Sequence, residues 1–135
     1  MIAIASVGNP LRGDDGLPEA VVRLLDETSF LDADFFYGEP MNFLGKLRSY
    51  DTIFIVDAVL FEASPGSVKV FNVDDVEGSS LSTHSFSVGL VKRILSGKRV
   101  FVIGICPESM GFSDSTSLDP ELVLPRVRQA ISSCL

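Results

Sequence analysis

The stretch TIFIVDAV, Thr52 to Val59, decides the fold. Ile53 to Val56 are all aromatic or β-branched, so the segment has no polar face and a strand made from it must be covered on both sides. The turn cluster FEASPGS, 61–67, stops the run before it reaches helical length. The same signature stands on either side of it in the chain. MIAIASV, 1–7, and RVFVIGIC, 99–106, are also short apolar runs. Helical spacing fills the intervals. PEAVVRLLDE carries Ala20, Val21, Leu24 and Leu25 on one side, MNFLGKLRSY carries Met41, Leu44 and Leu47, and SVGLVKRIL carries Val88, Val91, Ile94 and Leu95.

ADFFYG, 33–38, adds a second strand, and VKVFNV, 68–73, alternates apolar with polar residues as an edge strand does, a pattern compatible with antiparallel pairing. Asp119 followed by Pro120 predicts an N-cap and first helical residue for the closing segment, with a kink or break at Pro125. Strands alternating with helices at this spacing give an α/β protein: one three-layer α/β/α domain over 1–135, with a mostly parallel twisted sheet of about five strands and one edge strand free to run antiparallel.

Bulk composition narrows the function. The chain has 46% hydrophobic and 21% charged residues, which supports a sizeable core. Eleven basic against 18 acidic side chains leave a net charge of −7, which works against nucleic acid and against anionic membrane surfaces. No apolar run approaches the roughly 20 residues of a membrane span, and the opening has no basic leader, so a cytoplasmic location is expected. Cys106 and Cys134 lack metal or disulfide spacing and are expected to be reduced thiols.

Open α/β sheets bind ligands at the carboxyl ends of their strands. Three polar features fall there: GNPLRGDDG, 8–16, after the first strand; Asp57 at the end of TIFIVD; and STHSF with the one histidine, His84, at the start of the third helix. The glycines of GNPLRG match the separation in a phosphate-binding loop, but Asp14 and Asp15 occupy the places of its lysine and hydroxyl residue and would repel a phosphate. Carboxylates together with an imidazole instead suit a divalent cation, which would offset the repulsion of gathered negative charges. Structural roles are also open to each: Asp14 or Asp15 as helix caps, Asp57 as an acceptor in a turn, His84 as a cap. A receiver-like phosphoacceptor domain would use the DD pair, Asp57 and Thr83. It would also need a lysine after the last strand, and no lysine follows Arg99; six residues, Gly8 to Gly13, separate the pair from the first strand as well.

Taken together, the motifs resemble the hydrogenase maturation protease family, the endopeptidases that trim the large subunit of nickel–iron hydrogenases. GNPLRGDDG corresponds to the family's G-N-x-L, spacer, D-(D/E)-G; IFIVDAV to its strand ending in D-A; STHSFSVGL to its histidine before a helix; and VFVIGICPES to its apolar strand running into P-E. The resemblance spans essentially the whole chain, with the blocks in family order. It implies that Asp15, Asp57 and His84 form the catalytic and metal-binding site, with Asn9, Asp14 and Glu108 as secondary candidates. It implies that the partner is the large-subunit precursor, that its nickel is supplied by the substrate, with other divalent metals able to occupy the site, and that the reaction is removal of a C-terminal extension. A non-enzymatic metal or assembly chaperone is the other reading of the same residues. The chain departs from the family at Pro18, where many members have glycine, and at YGEPMNF, Tyr37 to Phe43, where many have a D-G-G-T block thought to shape the substrate cleft.

Overall fold

The computed structural model describes residues 1–7, 16–59, 61–73, 88–108 and 118–135. Five strands form one sheet: β1 (Ile2–Ser6), β2 (Asp34–Phe36), β3 (Thr52–Ala58), β4 (Val68–Asn72) and β5 (Arg99–Ile105), in the order β2-β1-β3-β5-β4. The pairs β1–β2, β1–β3 and β3–β5 are parallel, and β4 closes the edge antiparallel to β5, with Val68 opposite Ile105 and Asn72 opposite Phe101. This is the expected sheet, and its edge strand takes the antiparallel direction that the sequence pattern allowed. It also removes the receiver reading, because doubly wound signalling domains of that type run 2-1-3-4-5.

Alternation along the strands sorts two cores. Ile4, Phe54, Val56, Ile103 and Ile105 face α1 (Leu17–Glu27) and the last helix, numbered α4 here (Pro120–Ser133); Ala3, Ala5, Ile53, Ile55 and Val100 face the opposite layer. That layer holds α2 (Pro40–Phe43), a 3-10 turn (Lys46–Ser49) and α3 (Val88–Ile94). Helix α1 buries Leu17, Val21, Val22 and Leu25, and each such side chain contributes about 1.5–3 kcal/mol by leaving water. Its surface ion pair, Arg23 with Glu19 at 3.6 Å, is worth about 1 kcal/mol at most. Packing therefore holds the helix in place.

Three local expectations change. Gly16, rather than Asp14 or Asp15, occupies the N-cap of α1, with Pro18 in the first turn where its missing N–H costs nothing. The segment 41–50 is not one helix: α2 ends at Phe43 and the 3-10 turn begins after Gly45, so Phe43, Leu44 and Leu47 reach the core while Met41 is 75% exposed. In α4, Asp119 caps as expected, its carboxylate accepting from the Glu121 amide at 2.9 Å, but the helix runs unbroken through Pro125. Val123, Leu124, Val127 and Ile131 are buried along it, and that anchorage on both sides of the proline outweighs one absent ladder bond. Among the described residues no helix is long and apolar enough to cross a membrane.

Candidate active site

The first crossover leads from β1 through α1 to β2 on one side, and the next leads back through α2 to β3 on the other. Strand order therefore reverses between β1 and β3, and the crevice beyond their carboxyl ends is where a sheet of this kind takes its ligand. Asp57, the penultimate residue of β3, stands at that point. Its side chain is 0% exposed, and Oδ1 accepts from the Ala58 amide at 2.9 Å. On the β1 side the Val7 amide donates to the Val56 carbonyl at 3.1 Å, so β1 stays fastened to β3 up to the residue before the GNPLRGDDG motif. The register places Asp57 on the face that Ile53 and Ile55 share.

The chain that leaves Asp57 is sutured to the end of β5. Gly66 donates its amide to the Cys106 carbonyl at 2.8 Å, and the Cys106 amide donates to the Ser67 carbonyl at 2.8 Å. Arg126 of α4 donates from Nη1 to the Gly66 carbonyl at 2.8 Å. Gly66 has φ +86°, a conformation that other residues adopt with strain, and the turn at 64–67 depends on it. The Cys106 thiol is buried and points at the carbonyls of Ala63, 3.5 Å, and Phe61, 3.6 Å. It packs this connection. Cys134 is likewise a free thiol, donating to the Ala130 carbonyl at 3.4 Å.

Of the residues singled out from sequence, Asn9, Asp14, Asp15 and His84 lie outside the described residues. Asp57 and Glu108 lie inside them, and Glu108 is exposed, three residues beyond the end of β5. Among the described residues no three His, Cys, Asp or Glu side chains gather as a metal site. The departing block Tyr37 to Phe43 leaves the end of β2 at the same edge as Asp57. Tyr37 donates to Asp26 Oδ2 at 3.3 Å, and the Arg23 guanidinium lies over its ring at 4.2 Å from the centroid. Burial, reinforced by the Asp26 charge, pushes the phenol up to about 12. It stays protonated through the physiological range.

Two neighbours of the site are not singled out by the sequence pattern. Arg126 reads there as one of several charges on a helix surface. Gly104 reads as a weak spot in an apolar strand, yet a Cβ there would lie 2.9 Å from Phe71 Cε2 and 3.1 Å from Val59 Cβ. An isolated glycine within a strand run is itself the available cue, since it marks a close approach. Ser6, at the end of β1, is buried, and among the described residues its hydroxyl has no hydrogen-bond partner.

Known proteins share this architecture. A hydrogenase maturation protease from Thermococcus kodakarensis superimposes with a TM-score of 0.72 at 25% identity, covering 98% of this chain and 88% of that one. The endopeptidase HycI from Escherichia coli superimposes with a TM-score of 0.77 at 22% identity, over 96% and 88% of the two chains; at that identity the likeness is one of fold. In sequence, the coenzyme F420 hydrogenase subunit delta of Methanothermobacter thermautotrophicus is 30% identical, covering 96% of this chain and 91% of its own length. The HycI hydrogenase maturation protease pattern matches residues 38–134, from the block after β2 through β3 with Asp57 to the last turn of α4. A common fold along nearly the whole chain, together with that pattern over more than half of it, establishes that the chain belongs to the hydrogenase maturation protease family, a family of peptidases.

Proposed function

We propose that this protein removes a C-terminal extension from the nickel-loaded precursor of a nickel–iron hydrogenase large subunit, acting in the cytoplasm. The observation that carries the reading is the burial of Asp57 at the strand-order reversal of a chain in this family. An oxygen donor there is fixed before substrate arrives, so little ordering is left for binding to impose.

Nickel belongs to the substrate. In this reading the precursor's thiolates hold the ion, and Asp15, Asp57 and His84 complete its coordination with two carboxylates and an imidazole, donors suited to nickel. Asn9, Asp14 and Glu108 are the supporting candidates. Binding the ion and recognising the substrate are then a single event, which holds the tail in one register. Hydrolysis adds water to the scissile carbonyl, breaks the C–N bond and delivers a proton to the departing amine. The same three side chains are the candidates for moving that proton.

Intact-mass spectrometry of a nickel-loaded large-subunit precursor, incubated with the protein, tests the reading. The expected result is loss of one defined C-terminal peptide, abolished by Asp57→Asn, by His84→Ala and by removing nickel from the precursor. A complex that forms with no change in precursor mass would make the protein an assembly chaperone.

A further inference from the structure

We propose that Gly104 is a positioning residue for Asp57, a role that rests on the reading of Asp57 as a site residue. The two residues are register partners in parallel strands, Asp57 on β3 and Gly104 on β5, so their side-chain directions share one face of the sheet. Gly104 has an ordinary backbone, and space is what demands a glycine there. A Cβ would lie 2.9 Å from Phe71 Cε2, 3.1 Å from Val59 Cβ and 3.2 Å from Val59 Cγ2.

Val59 and Phe71 fill the vacancy from two directions. Val59 lies two residues beyond Asp57 on the same face, and its amide donates to the Ile105 carbonyl at 3.0 Å. Phe71 comes from β4, where it pairs with Val102, and Phe61 meets its ring edge-on at 5.8 Å between centroids. With Val102 these side chains form a small apolar cluster of their own, separate from both main cores. The cluster lies on the β5 side of Asp57, beside the end of β3.

A methyl group at 104 presses on that end. Displacing Val59 tilts the Ala58 peptide, whose amide holds Asp57 Oδ1, and so re-aims the carboxylate without touching it. Close-packed neighbours transmit such a shift because they have no free volume to absorb it. Gly104 thus acts through Val59 and Ala58, on a carboxylate whose geometry must be held within a fraction of an ångström for chemistry.

The test compares Gly104→Ala, Phe71→Leu and the double variant, each checked for folding by circular dichroism. Two readouts are taken: the Ala58 amide resonance by NMR, and the rate of precursor cleavage at saturating precursor. Gly104→Ala should displace the Ala58 resonance and slow cleavage by about 10- to 100-fold, with KM changed by less than about twofold. Leucine at 71 has no atom at the Cε2 position, so the methyl group at 104 can back away from Val59 into that space, and the double variant should recover both readouts toward those of Phe71→Leu alone. A folded Gly104→Ala protein with an unmoved Ala58 resonance overturns the proposal, whatever its rate. So does a displaced resonance accompanied by an unchanged rate. Should Gly104→Ala fail to fold, the double variant is compared with Phe71→Leu by the same criteria; if neither glycine variant folds, the residue is merely structural and the proposal fails. Should the unaltered protein not cleave the precursor at all, the protease reading falls, while the Ala58 resonance still decides whether Gly104 positions Asp57.

Discussion

The amide of Ala58 donates to the carboxylate of its own chain neighbour, Asp57, at 2.9 Å, inside a strand where both residues are buried. Asparagine keeps a carbonyl oxygen where Oδ1 stands, so Asp57→Asn should leave the folded state within about 1 kcal/mol of the parent while eliminating processing. Alanine leaves the Ala58 amide without that acceptor and should cost about 1–3 kcal/mol. Urea unfolding of the two variants, followed beside precursor cleavage, separates charge from shape. A fully active Asp57→Asn protein would take Asp57 out of the site.

The sheet was readable because its central strands have no polar face. Thr52 to Ala58 is buried at all seven positions, and the turn cluster at 61–67 ends the run short of helical length, which leaves a strand covered on both faces. The edge place of β4 was readable from the alternation of VKVFNV, which left its direction open; the pairing with β5 makes it antiparallel. What escaped was local. Helical spacing across 41–50 predicts one amphipathic helix, but Gly45 and the core position of Phe43 divide it, and Met41 turns to solvent. At the site, Asp57 stood out as a charge ending an apolar run. Gly104 and Arg126 did not, because their roles depend on Phe71 and on Gly66, which lie 33 and 60 residues away in the chain.

Both tyrosines should titrate late. Burial, followed by the Asp26 charge, lifts Tyr37 to about 12, and the hydrogen bond to Asp34 raises Tyr50 above its usual 10.0. A native phenol that holds its proton more tightly than the unfolded one adds stability that is fully present below pH 10. That contribution is lost as pH climbs through the folded value near 12. Absorbance at the tyrosinate band should show both phenols titrating above pH 10. Asp34→Asn should return Tyr50 toward the ordinary value; Asp26→Asn should lower Tyr37 only in part, since burial is its larger cause. A Tyr37 midpoint at or below 10 in the unaltered protein would refute the buried setting of that ring.

Helix α4 should depend on its cap. Asp119 satisfies the Glu121 amide, one of the donors that the first turn cannot pair internally. Asp119→Ala should lower stability by about 1 kcal/mol, and Asp119→Asn, which keeps an acceptor, by less. Thermal unfolding of the pair checks the order; equal losses would mean that the carboxylate charge at the helix start, rather than the hydrogen bond, is what matters.

Pro125 is the one residue of α4 that works against the helix it occupies. It sits inside Pro120–Ser133 with no amide to offer the Glu121 carbonyl, and both residues are exposed. Proline within a helix costs about 3 kcal/mol against alanine. Near the first turns and in contact with solvent the cost is smaller, and proline returns about 0.4–1 kcal/mol by restricting the unfolded chain. Pro125→Ala should therefore stabilise the protein by about 1–2 kcal/mol. The gain should appear as a higher denaturant midpoint at an unchanged slope, because the alanine exposes no new surface on unfolding. Cleavage should be untouched, since Val123, Leu124 and Val127 continue to anchor the helix to the sheet. A lower midpoint would show instead that the restriction of the unfolded chain at 125 exceeds the strain in the native helix.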